Sequence, residues 1–347
     1  MKHILTSFFL LFLLFHSQWT LAQDEGYKIA AVGFYNFENL FDTLDTPDVR
    51  DREFTPDGYK AWTSEKYNEK LGNLAYVIDN MASDKINSGI SVLGVSEIEN
   101  VTVLEDLVAH PTIKDKDYGI VHHDSPDERG IDVALLYRKQ HFKVTNTKDY
   151  FVDITIGVDT NYTRDVLLVS GLLDGEQMHF LVNHWPSRSG GEKRSEAGRG
   201  KAADVAKMVI DSLNQVEDNP KVILMGDLND NPTNKSLTMH LRANNKLSKV
   251  RGNEMYNPMA ALFKDGQGSN AWRDTWSLFD QILVSGVLTQ KKTEGFKFYK
   301  AEIYSEKFLK QSIGQYKGYP FRTFVGNAYQ GGYSDHFPVY IYLTKKV

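Results

Sequence analysis

The chain has 347 residues, 41% of them hydrophobic, which is enough to bury a large core without covalent staples. It contains no cysteine, so disulfides, thiolate metal sites and cysteine nucleophiles are excluded. With 45 acidic against 40 basic residues the formal charge is −5, which excludes a protein that coats nucleic acid through bulk charge; any polyanion must be gripped locally.

In chain order, Lys2 and His3 precede an apolar run over residues 4–15 that is too short to span a bilayer. Thr20-Leu21-Ala22 then offers a small-residue cleavage site, so residues 1–22 read as an export signal and residues 23–347 as one domain. Removal of the signal takes one lysine and moves the charge to −6. No cysteine follows to carry a lipid anchor, and no later run is long and apolar enough to cross a membrane. The product is expected to be soluble, periplasmic or extracellular, and monomeric.

Short β-rich runs recur over residues 28–35, 90–95, 133–137, 166–172, 179–182, 222–225, 281–284 and 337–343, some alternating and some continuously apolar. Between them, residues 64–81 place Tyr67, Leu71, Leu74, Ala75 and Ile78 on one helical stripe with Ser64 as N-cap, and residues 195–213 repeat the pattern. The spacing predicts an α/β fold of two sheets packed face to face with helices outside. Residues 244–276, rich in Gly and Asn, read as an elaborated loop.

Polar islands sit at the ends of the apolar runs. Asn36, in Phe34-Tyr35-Asn36-Phe37-Glu38-Asn39, offers an amide able to orient a carboxylate or a phosphate oxygen, or simply to make a turn. The run ending in Glu97 and Glu99 is costly to bury unless its carboxylates are paired or bind a cation. Strand alternation puts both on one face, so spacing does not choose between them. In Asn183-His184-Trp185-Pro186-Ser187-Arg188 a histidine at a strand end can donate to a phosphoryl oxygen. Arg188, Lys193, Arg194, Arg199 and Lys201 then face only Glu192 and Glu196, which suits phosphate contacts or a solvated surface. Gly226-Asp227-Leu228-Asn229 delivers a carboxylate and an amide two residues apart, a spacing shared with ordinary Asx turns. His336, in Ser334-Asp335-His336, needs an anchored second nitrogen to move protons, and Asp280 is the available orienter, with Asp335 free to face a metal. Arg129, just before an apolar run, is a weaker substrate-contact candidate that a turn salt bridge explains equally well.

Taken in order, Asn36, Glu97, Asn183-His184, Gly226-Asp227-Leu228-Asn229, Asp280 and Ser334-Asp335-His336 resemble the motifs of the endonuclease/exonuclease/phosphatase superfamily, most of all its secreted bacterial members. The motifs span residues 34–339. The resemblance implies a four-layer α/β/β/α sandwich with two mixed, mainly antiparallel sheets, a bound Mg²⁺ or Mn²⁺, and hydrolysis of a phosphate ester. It further implies Glu97 as main metal ligand, with Asn36 and Asp335 nearby. Asp227 would position or deprotonate the attacking water, Asn229 would hold the scissile phosphate, and His184 and His336, the latter oriented by Asp280, would stabilise the transition state. Ser96 stands where many relatives have Gln before the metal-binding glutamate. Arg129, Arg188 and Arg194 are the expected substrate contacts.

The leading reading is therefore an exported nuclease acting on DNA or RNA. The same chemistry fits a phosphatase or phosphodiesterase acting on lipid or inositol phosphate headgroups. A non-catalytic binding module on this fold is the alternative of a different class, and the retention of every acid, amide and histidine argues against it.

Overall fold

The computed structural model describes residues 26–86, 89–155 and 162–347; the expected export segment lies outside them. Sixteen strands and four α-helices follow one another along this part of the chain. They are β1 (Tyr27–Leu40), α1 (Ser64–Asn80), β2 (Val92–Ile98), α2 (Val101–Ala109), β3 (Tyr118–His122), β4 (Asp132–Arg138), β5 (Phe142–Tyr150), β6 (Val166–Leu173), β7 (Glu176–His184), α3 (Glu192–Val216), β8 (Val222–Asp227), β9 (Met255–Tyr256), α4 (Met259–Lys264), β10 (Asn270–Trp272), β11 (Thr275–Ser277), β12 (Asp280–Ser285), β13 (Lys297–Ile303), β14 (Phe324–Val325), β15 (Ala328–Tyr329) and β16 (Val339–Lys346).

Two six-stranded mixed sheets form, in the orders β13-β16-β1-β2-β4-β3 and β5-β6-β7-β8-β12-β9. Side-chain alternation along β1 explains why they stack. Ala30, Val32 and Phe34 enter the core between the sheets, facing Val182, Ile223 and Met225, whereas Ala31, Tyr35 and Phe37 turn outward beneath Leu71, Leu74 and Ile78 of α1. On the far side α3 lays Ala202, Ala206 and Val209 over Leu181 and Leu224. The layers are thus helix, sheet, sheet, helix. Gly94 lets them close up, because a Cβ there would lie 2.5 Å from the Met225 sulfur.

The eight strands expected from the sequence are the eight interior strands of the two sheets. The edge strands β3, β5, β9 and β13 were not anticipated. The loop expected over residues 244–276 carries β9, α4 and β10, and α3 begins earlier than the apolar stripe implied, at Glu192. Within each sheet the central pair is parallel, β1 with β2 and β7 with β8. The carboxyl ends of these four strands therefore share one end of the sandwich, as do the start of β12 and the turn before β16.

Candidate active site

In the second sheet, His184 on β7, Asp227 on β8 and Asp280 on β12 stand in register as neighbours. Their side chains share one face by sheet geometry alone. Gly226 allows this closeness, since a Cβ there would lie 2.2 Å from the Asn183 carbonyl oxygen. Asp227 Oδ1 accepts the Asn229 N–H at 3.0 Å, and Asn229, with φ of 50°, sits in the left-handed region that ends the strand. The motif makes an Asx turn, and that turn leaves Asp227 Oδ2 facing His184.

The first sheet supplies the opposite wall. Asn36 Nδ2 donates to Asp227 Oδ2 at 3.2 Å across 191 residues of sequence, and the Asn36 carbonyl accepts the Ser334 hydroxyl at 2.7 Å. Regular pairing of β1 with β2 breaks between Asn36 and Leu40, where Glu38 and Asn39 take positive φ, and Glu97 does the same at φ 59°. That kink decides what alternation left open. Glu97 Oε2 accepts the Asn39 N–H at 3.1 Å, and Oε1 lies 3.7 Å from His184 Nε2. Glu99 instead accepts the Asp42 N–H at 2.7 Å and the Thr46 hydroxyl at 2.9 Å, away from the histidines.

His184 Nε2 is also 3.6 Å from Asp227 Oδ2, so two carboxylates converge on one imidazole edge. Burial, then the charges of Arg164, Arg129 and His336, hold His184 well below the ordinary histidine value, so it is neutral. His336 is the reverse case. Burial opposes its charge, but Asp280, Asp335 and Asp227 outweigh burial and hold it well above the ordinary value. Its Nδ1 meets Asp280 Oδ2 at 2.7 Å, and that oxygen also accepts the Ser269 hydroxyl at 2.5 Å. Burial foremost, with Asp280 and Glu97 adding to it against His336, pushes Asp227 up to about 7.

The remaining expected residues divide. Asp335 lies 2.5 Å from Arg322 Nη2 and 3.8 Å from His336 Nε2, held below the usual carboxylate range by His336 and Arg322 despite burial. Arg129 sits beside Asp127, 3.5 Å from Nε to Oδ1, and with Arg194 it lines a cleft of about 730 Å³. Arg188 does not present itself to a substrate. Its Nε donates to the Asn229 carbonyl at 2.9 Å, Nη2 meets Asp230 and Asn234, Nη1 lies 3.0 Å from Glu192, and Phe279 stacks beneath. It braces the loop that carries Asn229. Arg199 is likewise withdrawn, fully buried with Nε 2.8 Å from Asp230 Oδ1. Lys193, Arg194, Arg199 and Lys201 stand on the first turns of α3, and Arg188 just precedes it.

Three buried groups escaped the sequence. Arg164 donates to Asp127 Oδ2 at 3.0 Å and to the Trp185 carbonyl at 2.8 Å, next to His184. Lys70, fully buried on α1, donates to the Thr323 hydroxyl and the Tyr333 carbonyl and so ties down the segment that carries Asp335 and His336. Burial lowers it to about 8 against the pull of Glu38, Asp335 and Glu97. Glu38 accepts the Thr323 N–H at 2.6 Å and is raised to about 7 by burial and Asp335. A charged residue on the Tyr67–Leu74–Val77 stripe was the legible sign of Lys70; Arg164 had none.

A divalent ion fits this donor set. Glu97 Oε1 and Asp227 Oδ2 approach a single neutral imidazole nitrogen, which has at most one proton to share between them. Asn36, whose Nδ2 holds Asp227 while its Oδ1 accepts the Glu38 N–H at 2.8 Å, steadies the cluster, and Asp335 adds a carboxylate, the hard-ligand chemistry of Mg²⁺ or Mn²⁺. Asp227, Asp280 and His336 also present ligand-type atoms within 4.8 Å of one another.

A model of the endonuclease/exonuclease/phosphatase family matches residues 31–345. No curated protein matches the chain. Among solved structures, a family protein from Bacteroides thetaiotaomicron aligns with TM-score 0.55 at 17% identity, over 93% of this chain and 97% of that one. The mannosyl-6-phosphatase Bt3783 of the same organism aligns at 0.54 and 18%, over 90% and 99%. TDP2 of D. rerio, solved with a single-strand DNA product, aligns at 0.53 and 13%, over 91% and 98%. At these identities the likeness is one of fold.

Proposed function

The chain belongs to the endonuclease/exonuclease/phosphatase family of phosphoester hydrolases, and on that premise we propose that it is an exported, Mg²⁺- or Mn²⁺-dependent nuclease cutting phosphodiester bonds of DNA or RNA. The observation that carries the reading is the convergence of Glu97 and Asp227, from different sheets, on His184 Nε2 at 3.7 and 3.6 Å. Held by Glu97, with Asn36 and Asp335 at its rim, the ion would neutralise phosphoryl charge.

The side chains then divide the work. Asp227, poised near neutrality, takes the proton of the attacking water. Neutral His184 and the amide of Asn229 donate to phosphoryl oxygens. His336, charged and oriented by Asp280, donates to the leaving alkoxide. Arg129 and Arg194 meet the flanking substrate. This assigns Asp227 as base and His336 as acid.

A substrate panel tests the reading: plasmid, single-stranded DNA, RNA, inositol phosphates and sphingomyelin, each with Mg²⁺, Mn²⁺ or chelator. Metal-dependent cleavage of a polynucleotide, lost in Asp227→Ala and His336→Ala, is expected. Turnover of non-nucleotide phosphates alone would overturn the nuclease assignment. One observation favours that second reading. A pocket walled by Trp272, Tyr316 and Tyr319, with Gln311 and Gln330 beside them, opens next to Asp335 and has the character of a sugar-ring site.

A further inference from the structure

The 730 Å³ cleft beside His184 contains more positive charge than its own acids neutralise. Arg50, Arg129, Arg164 and Arg194 line it against Asp127 and Glu128. Arg50 pairs with Glu128, and Arg129 and Arg164 share Asp127. Arg194 has no ion pair among the described residues. On a chain of net charge −5, such a surplus in one cleft is not a general property of the surface.

Polar hydrogens there are also left over. Thr163 and Arg164 are 1% and 6% exposed, and each keeps one atom, Oγ1 and Nε respectively, without a hydrogen-bond partner among the described residues. Buried polar atoms seldom go unpaired unless water, an ion or a ligand completes them. The rim adds Ser189, Gly190 and Arg194 at the start of α3, a 25-residue helix whose N-cap, Gly191, provides no side-chain cap. The cleft is joined to the catalytic centre through one atom: the Trp185 carbonyl accepts from both Arg164 Nη2 and Asn229 Nδ2, at 2.8 and 3.0 Å.

We propose that this cleft is a subsite for a second phosphate group of the substrate, one residue removed from the bond that is cut. The inference rests on the nuclease reading and narrows it to substrates carrying an additional phosphate next to the scissile one. Guanidinium groups, hydroxyls and a helix start are the donor set that recognises a phosphate dianion.

Two measurements on the full chain with Mg²⁺ test this. The first compares kcat/KM for a deoxydinucleotide with and without a terminal phosphate. The phosphorylated form should be favoured by roughly tenfold or more, and Arg129→Gln/Arg194→Gln should abolish that preference. The second is calorimetric titration with inorganic phosphate at constant ionic strength. The double variant should weaken binding about tenfold and the gentler Thr163→Val about threefold, with circular dichroism and melting confirming the fold. Phosphate affinity unchanged in both variants would overturn the proposal. If phosphate binding falls as expected while neither dinucleotide is cut, the subsite stands and the nuclease reading falls.

Discussion

Replacing Asp227 by asparagine separates what this side chain does for chemistry from what it does to the fold. Its ionisation is raised from an ordinary 3.8 to about 7. The folded state therefore binds its proton more tightly than the unfolded chain, and stability is lost as pH climbs from 3.8 to about 7. At pH 8 that ionisation costs the metal-free protein at most roughly 4 kcal/mol. An asparagine cannot ionise, but it has only one oxygen to serve both Asn229 N and Asn36 Nδ2, which forfeits a hydrogen bond of about 1 kcal/mol. The variant should thus be more stable than the parent by up to about 3 kcal/mol at pH 8, and no more stable, or about 1 kcal/mol less, at pH 4.5. Urea denaturation in chelator at both pH values reads this directly. With Mg²⁺ present, turnover of a diester should fall by roughly a hundredfold to ten-thousandfold. A variant that shows the same stability difference at both pH values, or keeps more than about a tenth of the parental turnover, would refute the assignment of Asp227 as a buried, near-neutral base.

Glu97→Gln should weaken Mg²⁺ or Mn²⁺ binding by about tenfold or more in a calorimetric titration, whereas Glu99→Gln should leave the titration as it was. The pH profile of kcat/KM should rise as Asp227 loses its proton, with the bound cation drawing that limb below 7, and fall at higher pH as His336 loses its own. Asp280→Asn removes the foremost of the carboxylates that raise His336, so the falling limb should move to lower pH; a limb that stays put would show that His336 is not the acid. Lys70→Met removes the hydrogen bonds to the Thr323 hydroxyl and the Tyr333 carbonyl and should cost roughly 2–4 kcal/mol in urea denaturation; a cost below about 1 kcal/mol would show that Lys70 does not hold that segment.

What could be read from the sequence follows from where each residue lies. The interior strands are apolar on both faces and were legible; an edge strand such as β5, Phe142–Tyr150, is mostly polar and looks like loop. Asp227 and Asn229 could be located because a buried strand leads straight into them. Glu97 and Glu99 could not be separated, because alternation fails at the left-handed residue between the strand and its end. Arg188 and Arg199 looked like substrate contacts since charge alone reveals nothing about pairing, and their partner Asp230 lies more than thirty positions away. The sharing of one carbonyl by Arg164 and Asn229 is a tertiary fact with no local trace.

The strand order of the first sheet also bears on when such a molecule can act. β16, the last described strand to leave the ribosome, is not an edge but is inserted between β13 and β1, directly after His336. Until it is seated, β1 lacks its antiparallel neighbour, and His336 has no fixed position opposite Asp280. The wall that sets His336 against Asp280 is therefore completed only once this late strand has slotted between two earlier ones, which makes the assembly of that wall a late event in folding.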